Sequence, residues 1–296
     1  MDAPTHLSRA EIESHQLSSL TEILNSLLDT NPFYSKRLKS IALPSVIGSV
    51  KQFSEHIPFT LRKDLVKDQT IHPPYGTNLT YPLDAYTRIN QTSGTAGNPM
   101  RWLDTPESWE WMLENWIYVY QATGINSQDC IFFPFSFGPF LGFWTAFEAA
   151  TRLGCLVIPG GGMRTRTRLL TMLDHNITVL CCTPTYALYL AEVAQQENID
   201  LTNTSVRFIV VAGEPGGSIA STRQRIESLW NGARLVDHHG MTEIGPVSYQ
   251  CPRRSGVLHV IERSFYPEIV DPKTGSSIQS GEVGELVLTN LGRVGS

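Results

Sequence analysis

The stretch VRFIVVAGEPGG, residues 206–217, decides the fold: an apolar, β-branched run empties into a glycine-rich turn that leads to a helix-length segment. A short run with no polar alternation reads as a strand covered on both faces. Further runs lie at 131–135, 155–158, 178–182 and 234–236, with helix-length segments between them. This alternation is the signature of repeated βα units around a mostly parallel sheet. Such sheets gather ligands at the carboxyl ends of their strands, so the residues just past each run are the ones to weigh. Past residue 212 come Gly213, Glu214, Pro215, Gly216 and Gly217, a turn against which a flat ligand could lie, with a simple strand-to-helix connection as the alternative. Past residue 236 come Asp237, His238, His239, Gly240, Met241, Thr242 and Glu243: two carboxylates, two imidazoles and a hydroxyl within seven residues. For His238 the plainer reading is a hydrogen-bonded histidine of structural role.

Working outward, Ser8 and Glu11 form a capping box ahead of Ile12, Leu20, Ile23, Leu24, Leu27 and Leu28, which predicts an amphipathic helix stopped by Asn31-Pro32. A second helix is expected from Thr105 and Pro106 to Gly124, its Trp109, Met112, Leu113, Trp116 and Tyr120 facing the core. Between them, TSGTAGNP (92–99) packs three hydroxyls and two glycines into its first six residues, between β-prone segments at 85–90 and 100–103. Amides freed by glycine and rotatable hydroxyls suit a loop closing on phosphate, here at a hairpin. A Walker-type loop would need a Lys-Ser or Lys-Thr pair and a following helix, and the chain has neither. After Cys251 the helical pattern gives way to strands near 256–262, 265–270 and 282–289, with a turn at 271–275. The expected organisation is a nucleotide- and acyl-binding α/β core over 1–250 and a β-rich subdomain over 251–296.

The 296 residues carry a net charge of −5 and no basic tail or Lys/Arg-rich stripe, which speaks against nucleic acid as a partner. The N-terminus lacks the basic-then-apolar order of a secretory signal and no run has the length to cross a bilayer, so the reading is cytoplasmic, with no membrane partner. Five cysteines, an odd number set in or beside apolar runs, read as reduced buried thiols. Cys251 and His259 are zinc-type ligands, two short of the four that a structural site takes, with His238 or Glu262 as the candidates to join them.

The loops TSGTAGNP, VAGEPGG and DHHGMTE, in this order, resemble the adenylate-forming acyl-CoA synthetase superfamily, and more narrowly its phenylacetate-CoA ligase-like branch. TPTYALYLAE (183–192), RLGCLVIP (152–159) and GEVGELVLT (281–289) strengthen the resemblance, which runs from about residue 30 to the end. It implies an α/β fold of mostly parallel βα-layered sheets with a C-terminal antiparallel β subdomain. It also implies ATP-dependent activation of a carboxylic acid to an acyl-adenylate, followed by transfer to coenzyme A or a carrier-protein thiol.

On this resemblance Thr242 and Glu243 are the catalytic pair, Thr242 donating to the α-phosphate and Glu243 holding Mg²⁺. Thr92, Ser93, Gly94, Thr95, Ala96 and Gly97 face the pyrophosphate; Gly213, Glu214, Pro215, Asp237, His238, His239 and Gly240 hold the adenine end, with Asp237 accepting from its amine. Phe137, Gly138, Phe140 and Gly245 line the acyl pocket, whose aromatic surroundings (135–140) suit an aromatic acid. Two departures stand out. His239 lies where the family usually has tyrosine, and Asn98 and Met100 lie where relatives commonly carry lysine, Arg101 being the nearest cation. The family continues into a ribose-binding aspartate, a hinge and a mobile lid domain with a lysine. The chain stops at Ser296, so it reads as the large N-terminal part of a ligase, weak or inactive by itself. The alternative is a non-catalytic nucleotide- or acyl-binding module; a homodimer is compatible with either.

Overall fold

A computed structural model describes residues 7–41, 43, 44, 46–92, 94 and 99–296, the side chain of Phe143 excepted. Helix α1 (Arg9–Thr30) starts at the expected capping box, with the Ser8 amide donating to Glu11 Oε2 at 2.7 Å and the Glu11 amide to Ser8 Oγ at 3.3 Å. Asn31 closes it and caps α2 (Pro32–Lys39) by accepting from the Tyr34 amide, while Pro32 at the first position costs no hydrogen bond. The short helices α3 (Val50–His56) and α4 (Arg62–Ile71) follow, and then strands β1 (Arg88–Gln91) and β2 (Arg101–Asp104), an antiparallel pair. The hairpin expected around the phosphate-type loop is therefore present. Helix α5 (Pro106–Thr123) begins where Thr105 Oγ1 accepts from the Ser108 amide, and its aromatic stripe is core, Trp109, Met112, Leu113, Trp116 and Tyr120 each being at most 4% exposed.

From here the chain alternates β3 (Cys130–Phe133), α6 (Leu141–Leu153), β4 (Leu156–Pro159), α7 (Thr165–Asp174), β5 (Val179–Cys182), α8 (Pro184–Gln196), β6 (Phe208–Val211), α9 (Ala220–Leu229) and β7 (Arg234–Asp237). The five strands form one parallel sheet in the order β4-β3-β5-β6-β7. Strands β3 and β5 are buried at every position, which is why they read as unbroken apolar runs. Edge strand β4 leaves Leu156 63% exposed. Helices α7, α8 and α9 cover one face through Leu169, Met172, Leu190, Ala194, Ile226 and Trp230, all at most 1% exposed. The remaining strands are short: β8 (Gly240–Met241) pairs with β9 (Gly245–Pro246), β10 (Ser248–Gln250) with β11 (Leu258–Val260), and β12 (Phe265–Val270) with β13 (Glu285–Asn290). All five cysteines are free and buried, as their apolar settings imply. No helix among the described residues is long and apolar enough to cross a membrane.

Two compact units partition the chain. Among the described residues, one holds 112–241 and 245–259 and contains the parallel sheet; the other holds those up to 111 with 242–244 and 260–296, and contains the β1-β2 and β12-β13 pairs. In the second unit Leu20, Leu24, Leu38, Phe53 and Leu291 form one apolar cluster, and Leu65, Met100 and Trp102 another. Met100, 1% exposed, is a core side chain of the second cluster.

Candidate functional site

Strand order reverses at β3, since β4 lies on one side of it and β5 on the other, and this is the point at which a doubly covered sheet opens a crevice. The register aligns Cys182 with Val211 and Val211 with Asp237, so the segments after β5, β6 and β7 leave the sheet at one level.

The segment after β6 has a structural reason for its glycines. A Cβ on Gly216, which holds φ +153°, would lie 2.7 Å from Cβ of Pro184, and one on Gly217 would lie 2.3 Å from Cγ and Oδ1 of Asp237. The turn is therefore pressed between the start of α8 and the end of β7. Glu214 completes the packing by accepting from the Thr185 amide at 2.7 Å, in the first turn of α8, where Thr183 Oγ1 accepts from the Tyr186 amide. A carboxylate there also suits the positive end of the helix.

Asp237 is 9% exposed and doubly held: Ser218 Oγ donates to Oδ2 at 2.5 Å and the His238 amide to Oδ1 at 3.0 Å. Burial raises its pKa above the ordinary carboxylate value, with Ser218 and the His238 amide opposing. Behind it, Gln250 Oε1 accepts from the Asp237 amide and from Arg223, whose NH1 donates to the Leu235 carbonyl. The carboxylate thus has one orientation, and each oxygen keeps a lone pair for a further donor.

His238 takes the structural role. It is 5% exposed, its ring lies 4.2 Å from that of Trp116, and Nδ1 is 2.6 Å from the Ser248 carbonyl. Burial pushes its pKa down to about 4, so the imidazole is neutral and Nδ1 donates. Because the unfolded histidine binds its proton near pH 6.5, stability should fall as pH drops from about 6.5 to about 4, by up to about 3 kcal/mol. Urea titrations at pH 7 and pH 5 check this: the loss should shrink in His238→Asn, and an equal loss in both proteins would contradict it. His239 is half-buried, with its amide donating to Ser248 Oγ at 3.0 Å. Burial lowers its pKa against the opposing charge of Asp237.

Thr242 and Glu243 stand in the turn between β8 and β9. Glu243 is half-exposed and has no hydrogen bond or ion pair among the described residues. A free carboxylate beside a hydroxyl is a donor set that fits Mg²⁺, which takes one or two protein carboxylates and fills its other positions with phosphate and water. The Thr242 carbonyl accepts from NH1 of Arg293, a residue that sequence reasoning missed. Its one signal is an arginine within a glycine-rich segment, LGRVG (291–295).

Of the phosphate-type loop, Ser93 and residues 95–98 lie outside the described residues, which takes in Ser93, Thr95, Ala96 and Gly97. Gly94 has φ +73°. Thr92 closes the base of the hairpin: its Oγ1 accepts from the Met100 amide at 2.9 Å and its amide donates to the Met100 carbonyl. In the acyl segment the Phe137 ring contacts Phe135, Trp144 and Phe147 at 4.8–5.2 Å, and Trp144 Nε1 donates to the Gly138 carbonyl. Phe140 is 41% exposed, and Gly245, φ +86°, starts β9. Cys251 and His259 gather no third ligand: among the described residues no group of three His, Cys, Asp or Glu could hold a metal. The partners foreseen for them are engaged elsewhere, His238 as above and Glu262 in a two-pronged pair with Arg9 at 2.7 and 2.8 Å. The His259 ring itself packs 5.3 Å from Tyr249.

Comparison with known proteins adds to this geometry. A family profile described as AMP-binding enzyme matches residues 55–292. The phenylacetate-coenzyme A ligase of Pseudomonas putida is 30% identical over 289 residues, covering 95% of this chain and 63% of the relative, and that of Thermus thermophilus is 29% identical over 288 residues, covering 96% and 63%. The chain therefore spans under two thirds of the length of these curated relatives. A crystal structure of 2-hydroxyisobutyryl-CoA ligase in complex with 2-HIB-AMP and CoA superposes with a TM-score of 0.92 at 26% identity, covering 98% of this chain and 62% of that one. The open conformation of that ligase gives 0.91 at 25% identity, covering 98% and 68%.

Proposed function

Because the chain belongs to the AMP-binding enzyme family and its matched relatives are acid–CoA ligases, we propose that it binds ATP and activates a carboxylic acid as an acyl-adenylate for transfer to coenzyme A. The observation that carries this reading is Asp237, a buried carboxylate held in one orientation at the carboxyl end of β7 with lone pairs to spare. Asp237 would accept from the exocyclic amine of adenine, and His239 and the backbone of 213–217 would lie along the ring. Thr242 donates to the α-phosphate. Glu243 holds Mg²⁺, which when bound would screen the charge that grows on pyrophosphate as it leaves. The hydroxyls and amides of 92–97 add donors to the same phosphates. Residues 1–250 supply these loops, and 251–296 the β-rich segment.

The acid is proposed to be aromatic, on the half-buried rings of Phe135 and Phe137 and the exposed ring of Phe140. Calorimetry is expected to detect ATP binding in the presence of Mg²⁺, and pyrophosphate exchange should respond to arylacetic acids before short aliphatic ones. No heat with either ATP or AMP would overturn the nucleotide reading; a preference for aliphatic acids would overturn the choice of acid alone.

A further inference from the structure

Arg293 is fully buried, and so is its partner Asp104, each side chain being 0% exposed. Its Nε donates to Asp104 Oδ1 at 2.6 Å, NH2 to Oδ2 at 2.8 Å, and NH1 to the Thr242 carbonyl at 2.5 Å. Asn90 Nδ2 adds a donor to Asp104 at 3.3 Å, and the Arg293 guanidinium lies 5.4 Å from the centre of the Trp102 ring. The backbone on either side is tied down as well. The Arg293 amide donates to Asn290 Oδ1, Thr80 Oγ1 donates to the Val294 carbonyl, and the Thr80 amide to the Gly295 carbonyl at 2.9 Å. Ser296 Oγ donates to the Leu103 carbonyl at 2.6 Å.

A buried ion pair of this kind contributes little net stability over apolar residues of the same shape, because desolvating both charges offsets their attraction. What it does supply is direction. The guanidinium is a rigid fork; with two prongs fixed on Asp104, the third N–H points at one place, and the group there is the carbonyl of the peptide joining Thr242 to Glu243. The pair is neutral as a unit, so it restrains that peptide without setting a bare positive charge beside Glu243.

We propose that Arg293 is a positioning residue for the magnesium-bound nucleotide: anchored on Asp104, it fixes the Thr242–Glu243 peptide and so aims the Glu243 carboxylate. This rests on the reading of Glu243 as the Mg²⁺ carboxylate. The test is calorimetry on the full chain with two probes, ATP plus Mg²⁺ and AMP without metal, on the unaltered protein, Glu243→Gln, the double variant Arg293→Met/Asp104→Asn, and the triple variant. The double variant removes both charges together, and Arg293→Lys, which keeps the charge but has one compact ammonium for two partners, serves if the double variant does not fold. Supporting groups around a metal ligand typically influence metal affinity by roughly 10–100-fold, and a loss in that range is expected for ATP with Mg²⁺ in the double variant, while AMP binding changes less than about twofold. The triple variant should lose no more than Glu243→Gln alone, because both changes act through one carboxylate. Equal weakening of both probes, additive losses, or unchanged ATP binding overturns the role of Arg293. If Glu243→Gln itself leaves ATP binding with Mg²⁺ intact, the reading of Glu243 fails and this inference with it.

Discussion

Gly217→Ala is expected to weaken AMP binding by about tenfold or more, the equivalent of about 1.4 kcal/mol. The new methyl would sit 2.3 Å from Cγ and Oδ1 of Asp237 and 2.7 Å from its Cβ, far inside contact distance. Backbone lies on one side of this clash and a doubly hydrogen-bonded carboxylate on the other. The side chain is the softer of the two, so Asp237 must leave the orientation set by Ser218 and the His238 amide. Overpacking of this size also costs about 1–3 kcal/mol of stability. Calorimetry with AMP and urea unfolding separate the two effects. A destabilised protein that binds AMP as before would mean that the placement of Asp237 does not matter to the nucleotide.

Asp104→Ala should lower stability by about 3–5 kcal/mol. It strips the Arg293 guanidinium of a two-pronged partner at 0% exposure and leaves the Thr242 carbonyl as a remaining acceptor. Removing both charges together should cost far less, since no uncompensated ion then stays buried. Urea unfolding of Asp104→Ala beside Arg293→Met/Asp104→Asn decides this. A loss below about 1 kcal/mol for the single change would mean that water reaches Arg293 and that the pair is not buried in solution.

The strand runs were legible because β3, β5, β6 and β7 are short and almost wholly buried, so their composition is apolar without alternation. Their ends were less exact: β3 runs from Cys130 to Phe133 against an apolar run of 131–135, β6 from Phe208 to Val211 inside 206–212, and β4 from Leu156 to Pro159, one residue later than its run, because apolar residues continue past the point where ladder pairing stops. Helices α1 and α5 announced themselves through Ser8 with Glu11 and through Thr105 with Pro106, both local devices. Helices α2, α3 and α4, of 8, 7 and 10 residues, gave no comparable periodic signal, because so few turns present only one buried position each, Leu38, Phe53 and Leu65. Strand 256–262 shrank to Leu258–Val260.

The candidate site divides in the same way. Asp237, Glu214, Thr242 and Glu243 were recognisable from residue type and placement after strands. Their settings were not: that Glu214 caps α8 at Thr185, that Thr92 closes its own hairpin, and that His238 stacks on Trp116 depend on partners 29, 8 and 122 residues away.

Local order along the chain was sufficient to determine a parallel α/β sheet, the starts of its longest helices and the segments that leave its carboxyl edge, because strand burial and helix capping act over a few neighbouring residues. Only the tertiary structure decided that Gly217 makes room for Asp237 and that Arg293 reaches Thr242 across 51 positions. Contacts of that kind are chosen by which surfaces meet when the chain closes, and nothing in the residues beside them records the choice.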